Sequence, residues 1–337
     1  MRTLKVGVIG LSMGKGWAGA AYENSDTELA LVYDLDEAKT RHVCKIFDAQ
    51  SSATEKEFLA ADLDIAVVAT PDHLHRAQCV AALSKGKHVI CEKPLAPTVA
   101  ECRKIIAAVK KHRRFFMVGQ VCRYAPGFRT AKRLLDDGEI GRLAFVESEY
   151  AHDYSDGAGV GGWRKDPKIK REGFIGGGCH ALDLVRWLAG EPSEVFCYTN
   201  GKLLKGWPTD DTGVAVFRFK NGVIGKVFVS VGAKRPYTMR TVIYGTGGTI
   251  VCDNTSPSVK LYKDSYFQET RSIKFTEVPV NVASHNVVAE FAEFVEYIKK
   301  GKQSPTDVYE GTRTVAFGEA ALKSARTGKP VKIPRIS

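Results

Sequence analysis

The chain has no Cys-x-x-Cys pair and no zinc-like cysteine spacing: its eight cysteines stand singly at 44, 79, 91, 102, 122, 179, 197 and 252. That excludes a disulfide framework and leaves reduced thiols packed as small apolar groups. His73-x-His75 has no third ligand near it, so no metal is expected. No apolar run reaches the roughly 18 residues that a membrane-spanning helix needs. The N-terminus runs straight into a strand-like segment without a signal-peptide pattern, so the cytoplasm is the expected compartment and no membrane partner is expected. Internal repeats and low-complexity tracts are absent, as is any stripe of basic residues interleaved with aromatics. The net charge of +11 is therefore not read as a nucleic-acid surface. Its densest run, Lys110-Lys111-His112-Arg113-Arg114, closes an amphipathic segment where cations complement a helix dipole and stay solvated.

What is present is an ordinary globular composition, 44% hydrophobic and 26% charged over 337 residues, enough for two domains with separate cores. From residue 4 to about 120, short apolar runs at 4–9, 29–33, 65–69, 88–90 and 115–118 alternate with helical patterns. That is the grammar of an α/β doubly wound parallel sheet. Beyond it the pattern changes. A helix is expected at 125–137, a strand at 143–150, a glycine-rich loop at 155–178 and a helix at 180–188. Alternating strands follow, two of them joined at Asn221-Gly222, a hairpin signal. The expected division is 1–122 for a dinucleotide-binding domain and 123–337 for an α/β domain with a mainly antiparallel open sheet.

Chemistry concentrates in the first half. Cys91-Glu92-Lys93-Pro94 puts an ionisable pair where an apolar strand runs out, and in an open parallel sheet ligands bind outside the carboxyl ends of strands. The first strand ends in Gly10-Leu11-Ser12-Met13-Gly14-Lys15-Gly16. In G-x-G-x-x-G, glycines let backbone amides approach a pyrophosphate at a helix N-terminus. Here Ser12 takes the second glycine's place and the third is displaced, so the motif alone is also compatible with a plain tight turn. Asp34, twenty residues beyond Gly14 at the end of the next strand, is where a ribose-binding carboxylate belongs. Gly10, Ser12, Met13, Gly14 and Asp34 are thus expected to hold the nucleotide. With Leu35 and Asp36 beside Asp34 and no arginine for a 2′-phosphate, NAD is expected over NADP.

With these residues in view the chain resembles the glucose-fructose oxidoreductase and inositol dehydrogenase family, Gfo/Idh/MocA, over nearly its whole length. The resemblance rests on Val8-Ile9-Gly10, on Ala69-Thr70-Pro71-Asp72-His73-Leu74-His75 and on Gly86 to Pro94 with its Glu-Lys-Pro. It continues through Arg123-Tyr124, Trp163-Arg164 and Gly176-Gly177-Gly178-Cys179-His180-Ala181-Leu182-Asp183. It implies a Rossmann domain followed by a substrate domain, a homo-oligomer (dimer or tetramer) built partly on the open sheet face, and NAD(P)-linked chemistry on a sugar or cyclitol. By the same resemblance Thr70, Pro71 and His75 border the cofactor, Glu92 its nicotinamide ribose, and Lys93 the reacting hydroxyl. His180 is the acid or base, and Arg123, Tyr124, Trp163 and Arg164 are substrate contacts. Inositol-dehydrogenase-like members carry an aspartate four residues before the histidine, where this chain has Gly176, so myo-inositol is not the expected substrate.

The chemistry is coherent by itself. Oxidising a secondary alcohol needs hydride loss to a nicotinamide and proton loss to a base; imidazole has a suitable pKa, and a lysine close to the oxygen stabilises alkoxide charge. Without the resemblance, His180 also fits a satisfied core histidine beside Asp183 and Leu184, Trp163 plain core, and Lys93 or Arg164 a surface cation. The expected function is an NAD-dependent dehydrogenase interconverting a ring hydroxyl and a ketone. A cofactor- and sugar-binding sensor, or an NAD-dependent glycosidase, are the alternatives.

Overall fold

The computed structural model of the protein describes residues 2–157, 159–263, 275–283 and 285–337. The chain forms two compact units: Met1–Val121 with Asn286–Val315 and Ile336–Ser337, and Cys122–His285 with Ala316–Arg335. Residues 286–315 and 336–337, on the far side of a linear division at 122, thus belong with the first unit.

The first unit is a six-stranded parallel sheet of β1 (Leu4–Ile9), β2 (Thr27–Tyr33), β3 (Gln50–Ser51), β4 (Ile65–Val68), β5 (His88–Cys91) and β6 (Phe116–Val118), in the order β3-β2-β1-β4-β5-β6. Strands covered on both faces read as unbroken apolar runs, and Ile65–Val68 is buried at every residue. The crossover helices are α1 (Leu11–Glu23), α2 (Glu37–Phe47), α3 (Glu55–Ala60), α4 (His75–Ser84) and α5 (Val99–His112). Their starts follow from side-chain caps: the Asp36 carboxylate accepts from Ala38 N and Lys39 N to begin α2, and Thr98 accepts from Glu101 N to begin α5. The basic run closes α5, with Arg113 in the left-handed conformation that ends it.

The second unit carries α6 (Pro126–Asp136), β7 (Leu143–Ala151), α7 (Gly173–Gly176), α8 (Cys179–Ala189), β8 (Pro192–Asn200), β9 (Thr212–Phe219) and β10 (Ile224–Ser230). It continues with β11 (Arg240–Gly245), β12 (Gly248–Asp253), β13 (Ser258–Tyr262) and β14 (Thr276–Pro279). The chain then returns to the first unit with α9 (Val287–Lys299), and α10 (Val308–Thr327) leads on to β15 (Val331–Lys332). The nine strands form one sheet in the order β14-β13-β12-β11-β7-β10-β9-β8-β15, antiparallel except for β7 with β10. Asn221-Gly222 turns β9 into β10 as its signal indicates, Gly222 at φ 86° and the Asn221 side chain accepting from Val223 N at 3.2 Å. Helices α6, α7 and α8 pack on one face. On the other face Tyr198 pairs with Val214, and Val214 and Val216 are exposed beside Ile224.

The segment 155–178 is more structured than a loop. A 3-10 turn spans Val160–Lys165, made by Gly161 and Gly162 at φ 67° and 73°, and α7 follows; Ala158, within this segment, lies outside the described residues. Among the described residues no helix is long and apolar enough to cross a membrane.

Candidate functional site

In the first unit the strand order reverses between β1 and β4, and their carboxyl ends bring Gly10 beside Ala69 and Thr70. Such a crossing point is where open α/β sheets take ligands. Gly10 has φ 86°, and a Cβ there would lie 2.6 Å from the Ala69 carbonyl oxygen, so only glycine fits the turn. Gly14 supplies the close helix-to-strand packing of the displaced third glycine, since a Cβ would come 2.9 Å from the Val8 side chain. Ser12 and Met13 are exposed. Gly10 at the N-cap has no side chain with which to cap α1, no acid stands in the helix's own first turn, and its first N–H, that of Leu11, is taken by Asp34 from the end of β2. The positive end of α1 beyond Leu11 faces the crossing point, where a dinucleotide's phosphates belong.

Asp34 closes the other side of the turn. One oxygen accepts from Leu11 N at 2.6 Å and the other from Asp36 N at 2.8 Å. The sequence reading missed a cation nearby: Lys39 Nζ donates to Ser12 Oγ at 2.9 Å, brought there because it lies in the first turn of α2.

Thr70 donates its hydroxyl to Gln78 Oε1 at 2.5 Å. Buried His75 sets Nε2 2.8 Å from the Thr70 carbonyl and Nδ1 3.0 Å from the Pro94 carbonyl. This ring, expected along the cofactor, is a brace between the turn after β4 and the turn carrying Lys93. Glu92 is 7% exposed, and its oxygens accept from Trp17 Nε1 at 2.8 Å and Lys93 N at 3.1 Å. Expected on a ribose, this carboxylate also anchors its own turn to α1. Lys93 is half-buried and its peptide bond to Pro94 is cis. Beside this turn, at the end of β6, Gln120 is buried and its side-chain carbonyl has no hydrogen-bond partner among the described residues. Gly10, Ser12, Met13, Gly14, Asp34, Thr70, Pro71, Glu92 and Lys93 thus gather at the carboxyl ends of β1, β2, β4 and β5. A helix start with glycine at its N-cap, a turn closed to any Cβ and a carboxylate at the end of β2 fit a dinucleotide.

In the second unit His180 is the second residue of α8 and 2% exposed. Its ring stacks on Tyr150 at 6.0 Å and 21°, and lies 5.6 Å from His285. Tyr237 stacks on His285 at 5.5 Å and 6°, and meets Tyr150 edge-on at 5.5 Å. The Tyr150 and Tyr154 hydroxyls are 2.7 Å apart. Burial, with the neighbouring phenols adding to it, pushes the Tyr150 phenol well above its usual range, and burial raises Tyr237 likewise. Both stay protonated, and His180 is flanked on that side by aromatic rings. These rings come from distant segments with no motif, and periodicity does not reveal them.

Asp183 follows His180 by three residues in α8. It accepts from Arg123 Nε and Nη2, both at 2.7 Å, and from Arg186 Nη1 at 3.4 Å, and all three side chains are buried. Arg123, expected on substrate, therefore has its fork in a buried ion pair. Tyr124 is buried under the Arg129 guanidinium at 4.9 Å. The guanidinium groups of Arg164 and Arg171 each lie 5.1 Å from the Trp163 ring, and Arg164 Nη1 donates to the Gly157 carbonyl at 2.8 Å. A Cβ at Gly176 would run into the Arg171 guanidinium. At the position of the inositol-type aspartate the chain has Gly176, with a buried cation in the space a side chain would need.

Two family models match. One, described as "Oxidoreductase family, NAD-binding Rossmann fold", covers residues 4–120, and the other, the GFO/IDH/MocA C-terminal domain, covers residues 128–251. The chain is 29% identical over 291 residues to a levoglucosan dehydrogenase of Pseudarthrobacter phenanthrenivorans, covering 74% of each chain. It is 28% identical over 358 residues to inositol 2-dehydrogenase 1 of Saccharopolyspora erythraea, covering 98% of this chain and 96% of that one. Among solved structures, a levoglucosan dehydrogenase in complex with NADH and levoglucosan superimposes with a TM-score of 0.89 at 25% identity, over 99% of this chain and 100% of that one.

Proposed function

Because the chain belongs to the Gfo/Idh/MocA oxidoreductase family, with its NAD-binding Rossmann fold, we propose that it interconverts a secondary hydroxyl and a ketone on a sugar, sugar derivative or cyclitol. It is an NAD-dependent oxidoreductase. The observation that carries this reading is the start of α1, set beside Thr70 with its Leu11 N–H tied to Asp34, together with Glu92 anchored to Trp17 so that Lys93 stands at the end of β5. The similarity to levoglucosan and inositol dehydrogenases supports a ring hydroxyl as the reacting group.

Bound NAD supplies the hydride acceptor. The N–H groups that follow Leu11 in the first turn of α1 would hold the pyrophosphate and Asp34 the adenosine ribose, while Thr70, Pro71 and His75 would border the cofactor and Glu92 its nicotinamide ribose. The Lys93 ammonium stabilises the charge that develops on the carbinol oxygen, and His180 takes the hydroxyl proton. The alcohol gives up one hydride and one proton and becomes the ketone. Arg171 beside Gly176 supports a substrate other than myo-inositol, since the acid of the inositol pattern is absent and a cation fills its space. Exposed Tyr198, Val214, Val216 and Ile224 on one sheet face support a homo-oligomer, and a cytoplasmic setting accords with the reduced cysteines.

A panel of sugars, sugar phosphates, nucleotide sugars and cyclitols, followed by NADH absorbance, tests the reading. Accumulation of NADH with one of them is the expected result. Release of an aglycone without net NADH makes the protein a glycosidase, and tight sugar binding with neither makes it a sensor.

A further inference from the structure

A base must present a lone pair on the nitrogen that meets the substrate, and a neutral imidazole has only one, so whatever binds its other nitrogen decides the tautomer. In many catalytic histidines a carboxylate has that task. Here the nearest acid on α8, Asp183, is held by Arg123 and Arg186. What lies 3.3 Å from His180 Nδ1 is the Cys122 sulfur, buried, with the Met239 thioether 3.4 Å beyond it.

Resting on the reading of His180 as the proton acceptor, we propose that Cys122 is its positioning residue, a thiol that fixes the imidazole with its proton on Nδ1 and its lone pair on Nε2. A thioether has no proton to give, so in the contact between the two sulfurs the Cys122 S–H is the donor. With that single proton directed at Met239, the face of the Cys122 sulfur toward His180 is a lone pair. Nδ1–H then donates to it. The opposite arrangement, the thiol donating to Nδ1, leaves the two sulfurs without a hydrogen between them and puts the imidazole proton on Nε2, where it blocks proton uptake. Each member of the chain is held in place. Met239 is buried, its backbone N donates to Asn254 Oδ1 at 2.6 Å, and its carbonyl accepts from Asn254 N. The Tyr150 ring stacked on His180 fixes the imidazole plane. A neutral thiol also suits this pocket, because it positions the ring without a carboxylate's charge among buried phenols.

Long-range proton–nitrogen correlation spectra of the whole protein test this without any turnover, and a His180→Gln variant identifies the signals among the eight histidines. The expected result is a protonated Nδ1 and an unprotonated Nε2 for His180 in the native protein and in Cys122→Ser, whose hydroxyl both donates and accepts. Cys122→Val, or Cys122→Ala should valine not fold, is expected to lose that preference and to lower kcat on the order of tenfold, less than the loss of the acid-base group itself, with NAD affinity unchanged. A native His180 carrying its proton on Nε2, or an unchanged tautomer in Cys122→Val, overturns the proposal. If no sugar is oxidised, the spectra still decide it, so failure of the dehydrogenase reading and failure of this one are distinguishable.

Discussion

Both oxygens of Asp34 accept backbone N–H groups, from Leu11 and Asp36, yet a carboxylate has about four lone-pair positions and two remain for ribose hydroxyls. The same charge repels a 2′-phosphate, and Lys39, held on Ser12 and 3.8 Å from Asp36, offsets only part of that repulsion. NAD is therefore expected to bind more tightly than NADP in parallel titrations, with Asp34→Ala narrowing the gap; equal binding by the native protein contradicts the role. Lys93→Ala and His180→Ala are each expected to lower kcat on the order of 10² or more, the scale of a positioned acid-base group, with the Kd of NAD little changed. A His180→Ala enzyme with near-native kcat on its true substrate makes that residue structural. At this scale the sequence reading located the chemistry-bearing types but not their partners. Glu92 and Lys93 stand at a strand end, as expected, whereas the Trp17 indole on Glu92 and the pairing of Arg123 with Asp183 join residues 75 and 60 positions apart, which no local pattern encodes.

The segments that announced themselves are those whose hydrophobic pattern matches one element: the mainly apolar runs of β1, β4 and β5, and the hairpin at Asn221-Gly222. The stretch 155–178 read as loop because its order has no period. Two successive glycines in left-handed conformations make a turn, and a helix of four residues is too short to show an apolar stripe. Trp163 with two guanidinium groups against its ring gives this stretch an aromatic face and hydrogen-bond donors suited to a polyol. It is expected to form the sugar-side wall, with backbone hydrogen exchange over 159–165 slowing when NAD and a substrate analogue are both present. Unchanged protection there puts the wall elsewhere.

Across the whole molecule the parallel sheet and the mainly antiparallel sheet were legible as a change of grammar near residue 120, but the return of 286–315 to the first unit was not. An amphipathic helix advertises an apolar face without naming what it covers. In α9 that face is Phe291, Phe294 and Val295, buried in the same core as Trp17, Ala18, Ala21 and Val8. Each such side chain contributes roughly 1.5–3 kcal/mol, a sum comparable with the 5–15 kcal/mol net stability of a domain. The returning chain also covers the outer edge of the parallel sheet, where Val118 N donates to the Thr306 carbonyl and Phe116 N to Gln303 Oε1. A fragment of residues 1–121 is accordingly expected to melt without cooperativity and to bind NAD poorly, while cooperative melting with native NAD affinity would refute this.

That closure sets an order of events at the ribosome. The nucleotide-binding half is translated first but waits with an exposed groove along α1 and an unpaired strand edge until residues 286–315 emerge, after strands β7 to β14 have been made. Its risk of mispairing is concentrated in that interval. The emergence of residues 286–315, rather than the completion of residues 1–121, decides when the nascent chain acquires its cofactor.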